Sequence, residues 1–292
     1  MIKNVHTRFT IITVCLNSAD LMRTTFESIL AQDYTDIQYI VQDGGSGDDT
    51  GDVIHNYEMK FRDRGIEFIF NEAPDKGIYD AMNKAGAWAT GDYINYMNAG
   101  DCFFSDHVLT DIAKVIADSS YGYEDRPIIV YGDCAVYEYG RFYRFNKSLD
   151  NIDEAMPFSH QSVFAKFDYV MGHPFDTDLR YSADYDFLLT AYDLGRRFVD
   201  ADTFVCITTA DGTSSVNYHD TLMESVRIRK AHNRFHHSDR DLAKMERSLK
   251  IKQFVLDHFP LCIKKLIRQI QISKRGQSLE FDVPGWCYFT KE

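Results

Sequence analysis

The chain has 292 residues, 45% hydrophobic and 26% charged, with a formal net charge of −12. That composition excludes a disordered chain and allows one large α/β domain with a smaller appendage, or two modest domains. The charge is uneven: residues 1–215 hold 17 basic and 35 acidic side chains, a net of −18, whereas residues 216–292 hold 15 and 9, a net of +6.

In chain order, Phe9–Cys15 is a continuous apolar, β-branched run and predicts a buried strand. Asn17 and Ser18 offer N-caps for a helix whose Met22, Phe26, Ile29 and Leu30 share one face. Residues 37–41 predict a second strand. A glycine-rich turn over 43–49 follows, then a helix marked by Val53, Ile54 and Tyr57. Residues 66–70 predict a third strand, and Ile78, Ala81, Met82 and Ala85 recur at helical spacing. Residues 93–97 predict a fourth strand before a helical stripe of Val108, Leu109, Ile112, Val115 and Ile116. This β-α alternation implies a mainly parallel sheet covered by helices. After Pro127 the texture changes. Residues 128–138 and 140–145 read as a hairpin around Tyr139-Gly140, 158–164 as a short extended piece, 187–194 as a helix and 198–208 as a late strand. Beyond a soft boundary near 215 the chain becomes helical and basic, with amphipathic stretches at 221–235 and 242–257 and an apolar one at 261–272.

The acidic body argues against a nucleic-acid partner, since phosphate binding needs basic surface, and it suits a site that gathers divalent metal. The six cysteines show no Cys-x-x-Cys spacing, and the opening residues do not read as a secretory leader. Reduced thiols and a cytoplasmic protein are expected. No apolar run reaches the roughly 18–20 residues that span a bilayer. The tail from Leu261 to Trp286, mixing Leu, Ile, Phe and Trp with Lys and Arg, suits either a membrane-surface helix or a lid or dimer contact.

Three strand ends carry candidate chemistry. Asp43 opens Gly44-Gly45-Ser46-Gly47-Asp48-Asp49, where a carboxylate can accept hydrogen bonds from a base or ribose. The same residues also suit a plain turn with Asp49 as a helix cap. The turn lacks the glycine spacing of a dinucleotide site and the lysine of a P-loop. Asp75 and Lys76 precede a helix whose N-terminal amides favour anions, with Tyr79, Asp80, Asn83 and Lys84 opposite its apolar stripe, and Asp75, Lys76 and Asn83 are candidate nucleotide-sugar contacts. Asn98-Ala99-Gly100-Asp101 closes the fourth strand with oxygen ligands suited to Mg²⁺ or Mn²⁺, or forms a polar turn.

Taken together, Thr-Val-Cys-Leu-Asn at 13–17, Val-Gln-Asp-Gly-Gly-Ser at 41–46, Asp-Lys-Gly-Ile-Tyr-Asp-Ala-Met-Asn-Lys at 75–84 and Gly-Asp-Tyr-Ile-Asn-Tyr-Met-Asn-Ala-Gly-Asp at 91–101 resemble the family-two glycosyltransferases. The likeness covers roughly residues 8–215 and is greatest to the bacterial branch that builds exopolysaccharide, capsule and O-antigen repeats. It implies a GT-A fold with a C-terminal helical extension and a sugar-nucleotide donor, commonly UDP-linked. It also implies transfer with inversion onto a lipid-linked or growing glycan, in the cytoplasm or at the inner membrane face. By that resemblance Asp43 matches the acid that binds the nucleobase, and the backbone around Thr13–Asn17 lines the same pocket. Asn98–Asp101 matches the Asp-x-Asp region, with Asn98 and Gly100 in place of acids. Asp101 is left as the one charged metal ligand, and the Asn98 amide oxygen can serve the ribose or the metal.

Tyr181-Ser182-Ala183-Asp184-Tyr185-Asp186 resembles the family's Glu-Asp motif, with Ala183 replacing the first acid. Asp184 aligns with the general base and Asp186 is its rival; helix-capping acids are the plainer reading. His160 and Gln161 resemble an acceptor-side His-Gln element, and Gly172-His173-Pro174 suits a loop just before the base. His232 and His236 at i,i+4 tempt a metal reading but lack a partner ligand at a recognised spacing, and His219 is a further metal candidate. Two alternatives stay open: a non-catalytic sugar-nucleotide-binding subunit, and a nucleotidyltransferase. The second normally needs a glycine-rich basic loop after its first strand, which residues 15–20 do not provide.

Overall fold

The computed structural model describes residues 6–120, 122, 124–145, 147–210, 217–260 and 278–288. The first half alternates as expected: β1 (Phe9–Cys15), α1 (Ala19–Leu30), β2 (Ile37–Asp43), α2 (Thr50–Asp63), β3 (Glu67–Glu72), α3 (Ile78–Gly86), β4 (Tyr93–Tyr96), β5 (Cys102–Phe103) and α4 (Val108–Asp118). The second half holds β6 (Ile129–Glu138), β7 (Arg141–Arg144), β8 (Val163–Lys166), α5 (Phe167–Gly172), α6 (Ala183–Asp193), β9 (Phe198–Thr209), α7 (Tyr218–Ala231), α8 (Asp239–His258) and β10 (Ser278–Leu279).

The described strands form one ten-stranded sheet ordered β10-β7-β6-β8-β4-β1-β2-β3, with β9 pairing β6 and β5. Strands β3, β2, β1 and β4 run parallel, and β8 enters antiparallel between β4 and β6. The sheet is therefore parallel where the βα units stack and mixed beyond β4. β1 and β2 are buried along their whole length, as strands covered on both faces must be. Phe9 and Ile11 of β1 face a core with Met22, Phe26, Ile54 and Phe61 of α1 and α2. Ile12 and Val14 face a second core with Met82 of α3, Val170 of α5 and Leu188 of α6. Tyr139 and Gly140 both have positive φ, 52° and 82°, the backbone a tight two-residue hairpin requires.

Several local expectations are corrected. Neither Asn17 nor Ser18 caps α1: the Asn17 side-chain oxygen accepts the Gly47 amide, and the Ser18 hydroxyl bonds back to the Leu16 carbonyl. Asp49 likewise makes no cap bond; Asp48 takes the amide and hydroxyl of Thr50. The piece at 158–164 begins as a 3-10 turn, His160–Ser162, before β8. The helix expected to reach 235 ends at Ala231, so His236 lies beyond it in a loop and the i,i+4 pair does not form. α7 packs against the second core: its Val226 and Ile228 are 3% and 2% exposed, and Ile228 joins that core. The apolar stretch at 261–272 and the boundary at 215 lie outside the described residues. Among those described, no helix is long and apolar enough to cross a membrane.

Gly91, at the entrance to β4, packs directly on β1. A Cβ there would sit 2.6 Å from the Thr10 amide nitrogen and 2.8 Å from the Phe9 carbonyl carbon, and backbone cannot swing aside. Gly91→Ala is expected to cost about 3 kcal/mol, measured by urea unfolding, because relief requires moving the strand. A loss under about 0.5 kcal/mol would mean β1 and β4 separate easily.

Candidate active site

The site is built at the carboxyl ends of β1, β2 and β4, where open α/β sheets bind ligands. Loops after β1 and β2 are stitched together: the Asn17 amide donates to Ser46 Oγ at 2.7 Å, and the Gly47 amide donates to Asn17 Oδ1 at 2.8 Å. Asn17 has φ 49°, a left-handed conformation asparagine tolerates. Asp43 is 1% exposed, and its carboxylate accepts the Ser46 hydroxyl at 2.6 Å and the Ser46 amide at 3.2 Å. It thus shapes its own turn. Thr13 is fully buried; its hydroxyl donates to the Met97 carbonyl and accepts from Tyr39, so its side chain supports the sheet beneath the loops.

The segment before α3 is folded on itself. Asp75 accepts the Gly77 amide and packs on Gly44, where a Cβ would run into its carboxylate. Asp80 accepts the amide of the exposed Lys76 at 2.9 Å and pairs with Lys84, whose ammonium holds its carboxyl below the usual range. The amides of Lys76 and Gly77 are therefore already taken by the chain's own acids. Gly77 sits at φ 132°, open essentially to glycine alone.

The face of α3 opposite its apolar stripe is only partly solvated: Lys84 is partly exposed, whereas Tyr79 is buried. Asn83 donates to the Phe175 carbonyl and accepts the Phe175 amide, both at 2.9 Å, pinning the loop between α5 and α6. Expected as a nucleotide-sugar ligand, Asn83 has its amide engaged in bracing instead. Asn83→Ala is expected to lower stability by about 2 kcal/mol and raise amide exchange around 173–176, because two half-buried backbone groups lose partners.

Asp184 lies in the first turn of α6, where the helix dipole favours a carboxylate. Its Oδ1 accepts the Tyr79 hydroxyl at 3.0 Å and the Tyr185 amide at 2.9 Å; its Oδ2 meets His160 Nδ1 at 3.0 Å. Burial, reinforced by Asp184, pushes the Tyr79 phenol well above its ordinary range, so it serves as a neutral donor. Tyr79 lies on the polar face of α3, and its i,i+4 spacing to Asn83 is the sequence signal for a covered patch there. His160 Nε2 faces Asn98 Nδ2 at 3.0 Å, while Gln161 Nε2 donates to Asp101 Oδ2 at 2.7 Å. Asn95 of β4 donates to the carbonyls of Gln161 and Val163 and so fixes the 3-10 turn. Burial alone would depress the His160 imidazole, but the Asp184 hydrogen bond and the charges of Asp184 and Asp101 outweigh it and raise its pKa.

The rival acid points elsewhere. Asp186 accepts from His232 Nε2 at 3.0 Å, and His232 Nδ1 meets Asp193 at 2.6 Å. His232 is thus a bridge from the end of α7 to α6, neither a metal ligand nor a solvated residue. His219 is exposed and pairs with Asp220. Gly172 closes α5, and His173, which bonds back to the Tyr169 carbonyl, opens with Pro174 the loop that leads to α6. Glu224 of α7 accepts the amides of Arg180 and Tyr181, both at 2.7 Å, and holds the approach to Asp184.

Asp101 is 9% exposed, and burial pushes its carboxyl up to about 6 despite the Gln161 hydrogen bond and the His160 charge. A desolvated carboxylate whose direct side-chain partner is a neutral amide fits a divalent cation. Among the described residues, however, no three His, Cys, Asp or Glu side chains converge to hold one. A cation at Asp101 therefore depends on oxygens brought by the ligand, as a hard ion completing its shell with phosphate does.

Acids lie at the ends of successive strands on a sheet parallel through β4 and mixed beyond, the layout that the likeness to GT-A glycosyltransferases implies. A family model for glycosyl transferase family 2 matches residues 10–169, and the chain belongs to that family. Among curated relatives, a PGL/p-HBAD biosynthesis glycosyltransferase of Mycobacterium tuberculosis is 27% identical over 186 residues, 63% of this chain and 69% of the relative. The GalNAc(5)-diNAcBac-PP-undecaprenol beta-1,3-glucosyltransferase of Campylobacter jejuni is 27% identical over 133 residues, 46% of this chain and 40% of the relative. Among solved structures, S. aureus TarS 1-349 in complex with UDP-GlcNAc superposes with a TM-score of 0.63 at 16% identity, covering 82% of this chain and 70% of that one. The chain spans 65% of the length of TarS 1-349 solved without that ligand. The mannosyltransferase PcManGT of Pyrobaculum calidifontis, in complex with GDP-Man and Mn²⁺, gives 0.60 at 15% identity over 100% of this chain and 85% of that one.

Proposed function

We propose that this protein transfers one hexose or N-acetylhexosamine from a nucleotide sugar, UDP-linked in the first instance, to a lipid-linked or growing glycan, with inversion. The observation that carries this reading is the Asp184 carboxylate, held by Tyr79 and His160 and linked through His160 to Asn98 in the loop of Asp101. In an inverting transfer the acceptor oxygen attacks the anomeric carbon from the side opposite the departing nucleoside diphosphate. Asp184 takes the hydroxyl proton as the new C–O bond forms. The bond from the anomeric carbon to the phosphate oxygen breaks, and its electron pair leaves with the diphosphate. The loops around Asn17 and Asp43 receive the nucleoside, and Asp101 would hold Mn²⁺ or Mg²⁺, whose charge would offset that of the leaving diphosphate. His160 and Gln161 lie on the acceptor side.

We place the protein in the cytoplasm, serving surface-polysaccharide synthesis at the inner membrane face. α8 supports a membrane contact: Arg240, Lys244, Arg247, Lys250, Ile251 and Phe254 are exposed along it, cationic and apolar together. The same face suits a dimer contact. A non-catalytic subunit is the second reading, favoured by Asn98, Gly100 and Ala183 at positions where the family resemblance implies acids. The test is a panel of UDP-, GDP-, dTDP- and CMP-sugars with Mn²⁺, Mg²⁺ or EDTA, following thermal shift and released nucleotide. Metal-dependent stabilisation by one nucleotide with slow release supports the transferase; stabilisation without any turnover onto a polyprenyl-linked sugar supports the subunit; no response to any nucleotide defeats both.

A further inference from the structure

His160 joins two parts of the site that no backbone element connects directly. The base stands on α6 and the Asn98–Asp101 loop follows β4; the 3-10 turn His160–Ser162 lies between them. One imidazole nitrogen meets Asp184 Oδ2 and the other meets the Asn98 amide, each at 3.0 Å. The neighbouring Gln161 reaches Asp101 at 2.7 Å, and Asn95 clamps the turn from beneath through two carbonyls. Asp184 Oδ1 is fixed separately by Tyr79 and the Tyr185 amide. The orientation of the carboxylate plane is therefore set by donors on both oxygens, and the donor on Oδ2 is His160.

Asn98 carries an independent sign of this coupling. Its Oδ1 is buried and has no hydrogen-bond partner, so its amide is held by the bond to His160 without satisfying its own acceptor. A buried amide left half satisfied is a cost the fold retains, and such groups concentrate where a ligand or a second arrangement completes the set. A sugar or ribose hydroxyl donating to Oδ1 would complete it and stiffen the Asn98–His160–Asp184 chain.

We propose that His160 is a positioning residue for the transfer, locking the Asp184 carboxylate to the Asn98–Asp101 loop so that the base is correctly aimed when the donor is bound. This rests on the reading of Asp184 as the base. His160 does not itself accept the substrate proton; it acts through Asp184. Misplacing a base by about 1 Å costs on the order of 100-fold, which sets the scale of the effect.

The experiment uses the full chain and compares wild type, His160→Ala, His160→Asn, Asp184→Asn and the His160→Ala/Asp184→Asn double variant. The sugar nucleotide that stabilises wild type is the donor, with kcat, donor KM and donor affinity read out. His160→Ala is expected to lower kcat about 100-fold with donor affinity nearly unchanged. His160→Asn, whose side-chain N–H can replace Nδ1–H toward Asp184, should recover about tenfold of that loss. Because His160 acts through Asp184, the double variant should be no slower than Asp184→Asn alone. An unchanged kcat in His160→Ala, parallel loss of donor affinity and rate in both His160 variants, or multiplicative losses in the double variant overturns the positioning role. If wild type itself turns nothing over, the reading beneath it falls, and this role with it. Turnover in wild type that Asp184→Asn leaves intact also refutes Asp184 as the base, whatever His160 does.

Discussion

Asp184→Asn is expected to lower kcat by about a thousandfold while leaving donor affinity essentially unchanged. The substitution preserves shape and removes the proton acceptor. Asn Oδ1 can still accept from Tyr79 and from the Tyr185 amide, which hold Oδ1 of the native carboxylate. The position of Oδ2 becomes an amide facing His160 Nδ1, so the imidazole must present its lone pair there instead. The loops around Asn17 and Asp43, proposed to receive the nucleoside, are separate contacts, linked to each other through Ser46 and Gly47. Donor binding, measured by thermal shift or calorimetry, should therefore survive. Asp186→Asn is the matched control: Asp186 is tied to His232 at the end of α7, so its loss should loosen that junction and spare most of the rate. Equal rate losses in the two variants would show that α6 as a whole, and not Asp184, is what the reaction needs.

The βα alternation was legible because buried strands and amphipathic helices write their periods into the sequence. β1 was read to the residue, and β2, β3 and β4 to within a residue or two at each end. What escaped notice were contacts between distant elements. Tyr79 and Asn83 lie on a face of α3 whose sequence is polar, which by period alone signals solvent; the layer that covers them comes from residues 175–187, nearly a hundred positions away. Capping failed for a related reason. Asn17 and Asp49 have cap chemistry, but the β1 and β2 loops lie side by side, and Asn17 serves the neighbouring loop. The short β5 was missed because two residues, Cys102 and Phe103, carry no period; pairing with β9, a hundred residues on, makes them a strand. His232 could not be read at all, since its partners Asp186 and Asp193 are fixed only when α7 docks on α6.

Asp101→Asn is expected to make the metal-free protein more stable at pH 7.5 while abolishing its cation-dependent response to nucleotide. The Asp101 carboxyl is raised from its ordinary 3.8 to about 6, chiefly by burial. In the unfolded chain it ionises at the ordinary value. Between those two pH values the native state holds the extra proton, so stability falls as pH rises through that window. Above pH 6 the whole penalty applies, on the order of 3 kcal/mol for a shift of about two units. Asparagine carries no charge to desolvate and can still accept the Gln161 hydrogen bond. At pH 7.5 without metal, Asp101→Asn should melt roughly 5 °C above wild type, and near pH 4 the two should melt together. On the proposed metal role, added Mn²⁺ and nucleotide should reverse the order, because a bound cation would compensate the wild-type carboxylate and find no charged anchor in the variant. The desolvation penalty of Asp101 is then what the proposed cation would relieve. A variant that melts below wild type at pH 7.5, or that keeps a metal-dependent gain with nucleotide, would place the cation away from Asp101.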